Sequence, residues 1–316
     1  VMSLLRNWFM VQTAACNPVA RAVDFDDKVM GELIRFVAAH EVGHTLGLPH
    51  NMGSSVAYPV DSLRSKTFTA THGTAPSIMD YARFNYIAQP EDGITSFYPG
   101  IGPYDDWSIY YGYKLIPGVN RPEDESSTLN KWVKDHADDP IYRYGQQRGN
   151  TADPSSQTED LGDDAVYASQ MGINNLKRIV PELIKWSSQD GKDYSQLSEM
   201  YQTVYSQLGR YMRHVRTNVG GVYEFRKTAD EEGAVFIPLS AKKQKDAVKF
   251  LNDELFQTPT WLIDRDILQR IGGAGITDRI KGMQTSTLNA LFDESRLKRL
   301  IEAEASNSRS YSLADL

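Results

Sequence analysis

The sequence holds a single cysteine, Cys16, among 316 residues. No intrachain disulfide can form, so a disulfide-stapled scaffold is excluded, and so is a zinc ribbon built on cysteine pairs. Positive charge is not in surplus either. The net charge is −7 and no cluster of lysine or arginine stands out, which argues against nucleic acid as a partner because phosphates call for a basic face. Long apolar runs are also missing: no stretch reaches the roughly 18 residues that a membrane-spanning helix needs. The opening VMSLLRNWFMV is interrupted by Arg6 and Asn7 and leads to no clean cleavage site, so it reads as an amphipathic helix and not as a signal peptide. What remains is ordinary globular composition, 41% hydrophobic and 24% charged, in a chain long enough for about two domains.

Periodicity places helices over most of that length. Residues 2 to 15 carry apolar positions at Leu4, Leu5, Trp8 and Phe9, with Gln12 expected to face outwards. Asp26 or Asp27 can cap a second helix, which runs through DKVMGELIRFVAAHEVGHT and ends at Gly47, a residue suited to the positive φ of a helix terminus. From Asn51 to Pro76 the chain reads as a long irregular loop, rich in Ser, Thr, Gly and Pro. Residues 75 to 87 read as a turn followed by a short helix or extended piece. PYDDWSIYYGYKLIP (103 to 117) reads as a helix started by Asp105 and Asp106. The stretch 117 to 165 is polar and broken by prolines, and its first part is expected to be a domain boundary. Further helices are expected over 164–188, 194–219, 240–256, 260–271 and 277–305, with a small hairpin near 220–238. Tyr201, Val204, Tyr205, Leu208, Tyr211 and Met212 recur at spacings of three and four, the signature of a packed helix face. Within the polar stretch, TADPSSQTEDLGDD reads as a solvated loop or helix cap; a Ca2+ site is the sharper alternative, with oxygen ligands present but no EF-hand spacing.

Chemistry concentrates in HEVGHTLGLPH. His40 and His44 lie one helical turn apart, so both imidazoles project from one face, with Glu41 beside them. Gly47 lets the chain turn sharply, and His50 can then return to the same ion. Three neutral imidazoles would hold Zn2+ and leave a fourth position for water, whose pKa zinc lowers towards roughly 7. Glu41 is placed to take that proton, deliver hydroxide to a carbonyl and pass the proton on to the leaving nitrogen. At ordinary residue frequencies such a five-position pattern arises by chance in on the order of one in 10⁵ chains of this length.

The stretch resembles the extended H-E-x-x-H-x-x-G-x-x-H signature of the metzincin zinc metallopeptidases. SIMDY resembles their second mark, a methionine turn. The resemblance implies that Met79 lies beneath the three imidazoles as an apolar floor. It also implies that Tyr81, two residues on, reaches the zinc or the transition-state oxyanion; a hydrogen-bonded structural tyrosine is the alternative. From His40 through YDDWSIYYGY to the helical tail, the chain is similar to the Met-zincin domain of large bacterial extracellular zinc-dependent metalloproteases. A peptide or protein substrate and an extracellular, periplasmic or cell-surface location follow from the same resemblance. Among the remaining candidates, Asn51 is placed to brace the ligand loop, and Asp80 either orients a ligand histidine or forms the turn. His72, His136 and His214 read as structural.

The expected fold is therefore mainly α: residues 1–120 form a zincin-like catalytic segment with the active-site helix and methionine turn, and residues 121–316 a helical C-terminal domain. In metzincins the substrate adds as a strand to a sheet that precedes the active-site helix. No long period-2 run precedes it here, so the sheet is expected to lie before Val1, in an upstream part of the polypeptide that completes the cleft. The chain is then expected to hold zinc yet cleave peptides poorly. Two other readings stay open: a zinc-binding scaffold or binding module that is weakly active or inactive, and a zinc hydrolase of non-peptide amides.

Overall fold

The apolar stripe on the helix Ser195–Arg216 is buried along its length, from Leu197 through Tyr201, Val204, Leu208 and Tyr211 to Val215, and most of the other helices are arranged around it. The computed structural model describes residues 2–147, 152–272 and 275–316. In chain order the helices are α1 (Met2–Thr13), α2 (Asp27–Thr45), α3 (Val60–Leu63), α4 (Lys66–His72), α5 (Pro103–Tyr113), α6 (Ser126–Lys134), α7 (Ala165–Ile179), α8 (Leu183–Ser187) and α9 (Ser195–Arg216). The strands β1 (Val222–Glu224) and β2 (Phe236–Pro238) follow, then α10 (Ala241–Leu251), α11 (Arg265–Ile271), α12 (Ile276–Leu291) and α13 (Glu294–Ser306). The fold is mainly α, as expected. Among the described residues the only sheet is β1–β2, an antiparallel pair with Tyr223 opposite Ile237. No described strand precedes α2.

Helix α9 packs against α1, α7, α8, α10, α11 and α12. One apolar core runs from Phe9 and Leu33 through Met79 and Phe84 to Ile173, Leu208 and Leu251. The packing of α1 on α7 and α9 thus ties the first helix of the chain to its second half. Gln12 does not face outwards. It is 1% exposed, accepts a hydrogen bond from the Phe84 N–H (3.1 Å) and donates to Gln207 on α9 (3.1 Å). A buried amide satisfied on both ends substitutes for an apolar contact here, which the 3.6-residue period alone cannot distinguish from a surface position.

Other departures have local causes. The expected loop 51–76 contains α3 and α4, with Ser65 capping the latter through the Phe68 N–H. Helix α6, within the polar stretch, presents no buried residue and so left little periodic signal. The single helix expected over 277–305 breaks between α12 and α13, where Asp293 caps a new start by accepting from the Ser295 N–H (3.1 Å). Thr151 of TADPSSQTEDLGDD lies outside the described residues, and the rest of the run, 152–164, is not a solvated loop. Asp153, Ser155, Ser156, Gln157, Glu159 and Asp160 are all buried, and arginines neutralise two of the acids: Arg143 pairs with Asp153 (2.9 Å), while Arg83 and Arg210 both pair with Glu159. With those carboxylates engaged, calcium gains no support. The last Asp of the run does cap α7, accepting from the N–H groups of Val166 and Tyr167.

A candidate metal centre

Helix α2 starts at Asp26, whose side chain accepts from the Val29 N–H (2.9 Å). It ends in a Schellman turn: the Gly47 N–H bonds to the His44 carbonyl (3.0 Å) and the Leu48 N–H to the Gly43 carbonyl (3.1 Å), with Gly47 at φ 82° as this turn demands. The turn does two things for the site. It brings the Leu48 carbonyl under His44, which donates to it from Nδ1 (2.9 Å). It also reverses the chain so that His50 faces the helix.

His40, His44 and His50 are the only group of three or more metal-ligating side chains that converge among the described residues. His50 Nε2 lies 3.0 Å from His44 Nε2 and 3.2 Å from His40 Nε2. Neither His40 nor His44 is the donor in these contacts. His40 Nδ1 sits 2.7 Å from the Ile78 carbonyl, and a carbonyl can only accept, so the proton of His40 is on Nδ1, as it is for His44. Both Nε2 atoms therefore present lone pairs to each other and to His50. Lone pairs gathered this closely repel unless a cation lies between them. Tetrahedral zinc with Zn–N bonds of about 2.0–2.1 Å would place its nitrogen ligands about 3.3–3.4 Å apart, close to the distances found. The donor set fits the ion. Burial, followed by the proximity of the other imidazoles, holds His50 below the ordinary histidine range, and burial does the same for His40; both are thus neutral and ready to ligate at pH 7.

Met79 is 1% exposed and packs under α2 between the two helical histidines. A Cβ on Gly43 would come within 2.3 Å of Met79 Sδ, so the glycine inside HEVGH is what lets the methionine floor close. Its part in the site was missed from the sequence, although a glycine between the two ligands was there to be read. Tyr81 lies against the ligands, its ring 5.1 Å from that of His40 and 4.5 Å from that of His50. Asn51 is fully buried and ties three segments together. Its N–H donates to the Met79 carbonyl (3.1 Å), its side chain donates to the Arg143 carbonyl (2.9 Å), and its Oδ1 accepts from the Gly145 N–H (2.9 Å).

Asp105 is the second residue that the sequence did not single out for the site. It accepts from Ser77 Oγ (2.6 Å), the Ile78 N–H (2.8 Å) and the Gly102 N–H (2.9 Å). Asp105 thus holds the Ile78 N–H directly and, through Ser77 Oγ, which accepts from the Met79 N–H (3.0 Å), the next peptide unit as well, whose Ile78 carbonyl orients His40. Asp80 touches no histidine, contrary to one expectation for it: it accepts from the Ser55 N–H (2.7 Å). Its other oxygen is buried without a partner, and burial pushes its pKa up to about 7. Asp160, which accepts from Ser55 Oγ, is likewise raised by burial and then by the charge of Asp80. Between the ordinary carboxylate value and about 7 the folded state keeps a proton on Asp80 that the unfolded chain has released, so stability falls as pH rises through that window. Asp80→Asn should flatten this slope. Denaturant titrations at pH 5 and pH 8 read it, and an unchanged slope would count against the assignment.

The other histidines lie outside this cluster. His214 is buried, contacts the Thr158 carbonyl (3.0 Å) and is pushed down by burial to about 4. His72 stacks on Phe68 and His136 on Tyr142.

Two histidines one turn apart on a helix, a tight turn to a third, and a buried methionine packed against that helix are the arrangement of a zincin-class metal centre. A family model described as Met-zincin matches residues 22–316, and the chain belongs to that family. No curated protein and no solved structure matches the chain.

Proposed function

We propose that the chain is the catalytic segment of a zinc-dependent metalloendopeptidase, in which His40, His44 and His50 hold the ion. The observation that carries this reading is the convergence of three Nε2 atoms, two of them left unprotonated because the Nδ1 of the same ring donates to a backbone carbonyl. Bound zinc supplies a Lewis acid for the scissile carbonyl and acidifies an attacking water. Glu41 is exposed on α2 next to His40, and its carboxylate is the base for that water and the acid for the departing nitrogen. Tyr81, lying across His40 and His50, is the candidate donor to the oxyanion. Met79 and Gly47 support the ligands without joining the reaction. Residues 121–316 buttress the catalytic segment through α7 and α9.

No helix among the described residues is long and apolar enough to cross a membrane; on family grounds we place the domain outside the cytoplasm. Because no described strand edge lies alongside the histidines, substrate positioning is weak and turnover is expected to be modest. The test is the purified chain, loaded with one equivalent of zinc and given an unstructured protein. Cleavage that a chelator stops and added zinc restores supports the reading. Stoichiometric zinc without cleavage of protein points to a binding module, and turnover confined to non-peptide amides points to the third reading.

A further inference from the structure

Behind the loop that carries the chain from His44 to His50 lies a pocket of about 910 Å³, lined on one side by residues 46–49 and Met79 and on the other by α5, the segment after α6, and the β1–β2 connection. It contains none of the three histidines, nor Glu41 or Tyr81, so it is separate from the metal centre while sharing a wall with it. That wall is braced from α5, where Tyr113 donates to the Leu46 carbonyl (3.0 Å). A volume near the upper end of the roughly 300–1,000 Å³ typical of ligand pockets takes more than one side chain.

The walls narrow the choice of occupant. Trp107 stacks on Tyr111 (centroids 5.3 Å) and meets His136 edge-on (5.9 Å), a surface suited to another aromatic ring. A cationic ligand is disfavoured, because arginines already cover two of the lining rings: Arg143 lies 5.4 Å from the Phe225 centroid and Arg226 lies 5.1 Å from that of Tyr144. Arg143 is paired with Asp153, whereas Arg226 has no ion pair among the described residues. Two of the lining acids are engaged within the chain, Asp139 on the Ile141 N–H and Glu231 on the Thr228 N–H. Asp138, on the segment after α6, is left to repel an anion there, which directs a ligand carboxylate to the hairpin side and Arg226.

We propose that this pocket docks an aromatic side chain of the peptide substrate away from the bond to be cut, with an acidic neighbour of that residue held by Arg226. The substrate class rests on the peptidase reading above; the binding itself is measured without turnover. The probe is the blocked peptide acetyl-Gly-Trp-Leu-Asp-amide, titrated calorimetrically into the full chain. Gly112 lines the pocket, and a Cβ there meets nothing within 4 Å, so Gly112→Trp adds a bulky side chain at the wall without a clash at its Cβ. Saturable binding is expected, weakened about tenfold or more by Gly112→Trp and by Trp107→Ala, a loss of at least one good contact. Arg226→Glu should weaken this peptide and spare its Asn counterpart. The proposal is overturned if the chain binds acetyl-Gly-Ser-Gly-Asp-amide equally well, if Gly112→Trp binds as tightly as the parent, or if Arg226→Glu leaves both peptides unchanged. A chain that binds the probe but cleaves nothing would sink the peptidase reading alone; one that cleaves protein but ignores the probe would sink only the docking site.

Discussion

Glu41→Gln should lower turnover by about 10²–10⁴-fold, the usual contribution of a positioned general base, and leave the zinc content of the chain intact. The convergent nitrogens belong to His40, His44 and His50, and Glu41 is not among them, so the amide removes a proton acceptor without removing a ligand. It is also nearly isosteric, and the residue is exposed on α2, so the helix gains no cavity and no buried unpaired group. Metal analysis of the purified variant and initial rates on an unstructured protein read the two halves separately. Loss of zinc would mean that Glu41 contributes to coordination; unimpaired turnover would mean that the base lies elsewhere.

The second large effect is expected far from the histidine motif in sequence. Asp105→Ala leaves three donors without their acceptor: Ser77 Oγ and the Ile78 N–H, both buried, and the half-buried Gly102 N–H. Each buried donor left unsatisfied costs about 1–3 kcal/mol, so the two buried ones imply a loss of at least about 2 kcal/mol of stability, and zinc should bind more weakly because the carbonyl that orients His40 belongs to the Ile78 released by the change. Asp105→Asn tests the same network more gently. Its amide oxygen can still accept, but its NH2 meets donors where acceptors are needed, so a loss intermediate between parent and alanine variant is expected. Chemical denaturation and zinc competition with a chelator give both numbers. If Asp105→Ala unfolds at the same denaturant concentration as the parent, the network does not hold the turn.

The parts of the site that could be read from the sequence are those whose partners are near in the chain. His40 and His44 share a face because one helical turn separates them, and Gly47 announces the reversal that returns His50. Met79 followed from the family resemblance. Asp105 was visible only as a helix-starting acid, because the Ile78 N–H that it holds lies 27 residues away. The buried acidic run misled for a related reason. Its composition is that of a solvated loop, and only the fold brings Arg83, Arg143 and Arg210 against it. Gln12 shows the same limit within a helix, since its partners Phe84 and Gln207 are 72 and 195 residues distant. The large helices were legible where one face is buried, as in α9, and invisible where none is, as in α6.

The acceptors that aim His40 and His44 are main-chain carbonyls, of Ile78 and Leu48. Any residue supplies the same oxygen, so the side chains at positions 78 and 48 are free to drift with the packing around them while the aim of the imidazoles is inherited from the path of the backbone. The geometry of the centre therefore depends on turns and on what pins them, Gly47, Asn51 and Asp105, more than on the chemical identity of the side chains directly behind the histidines.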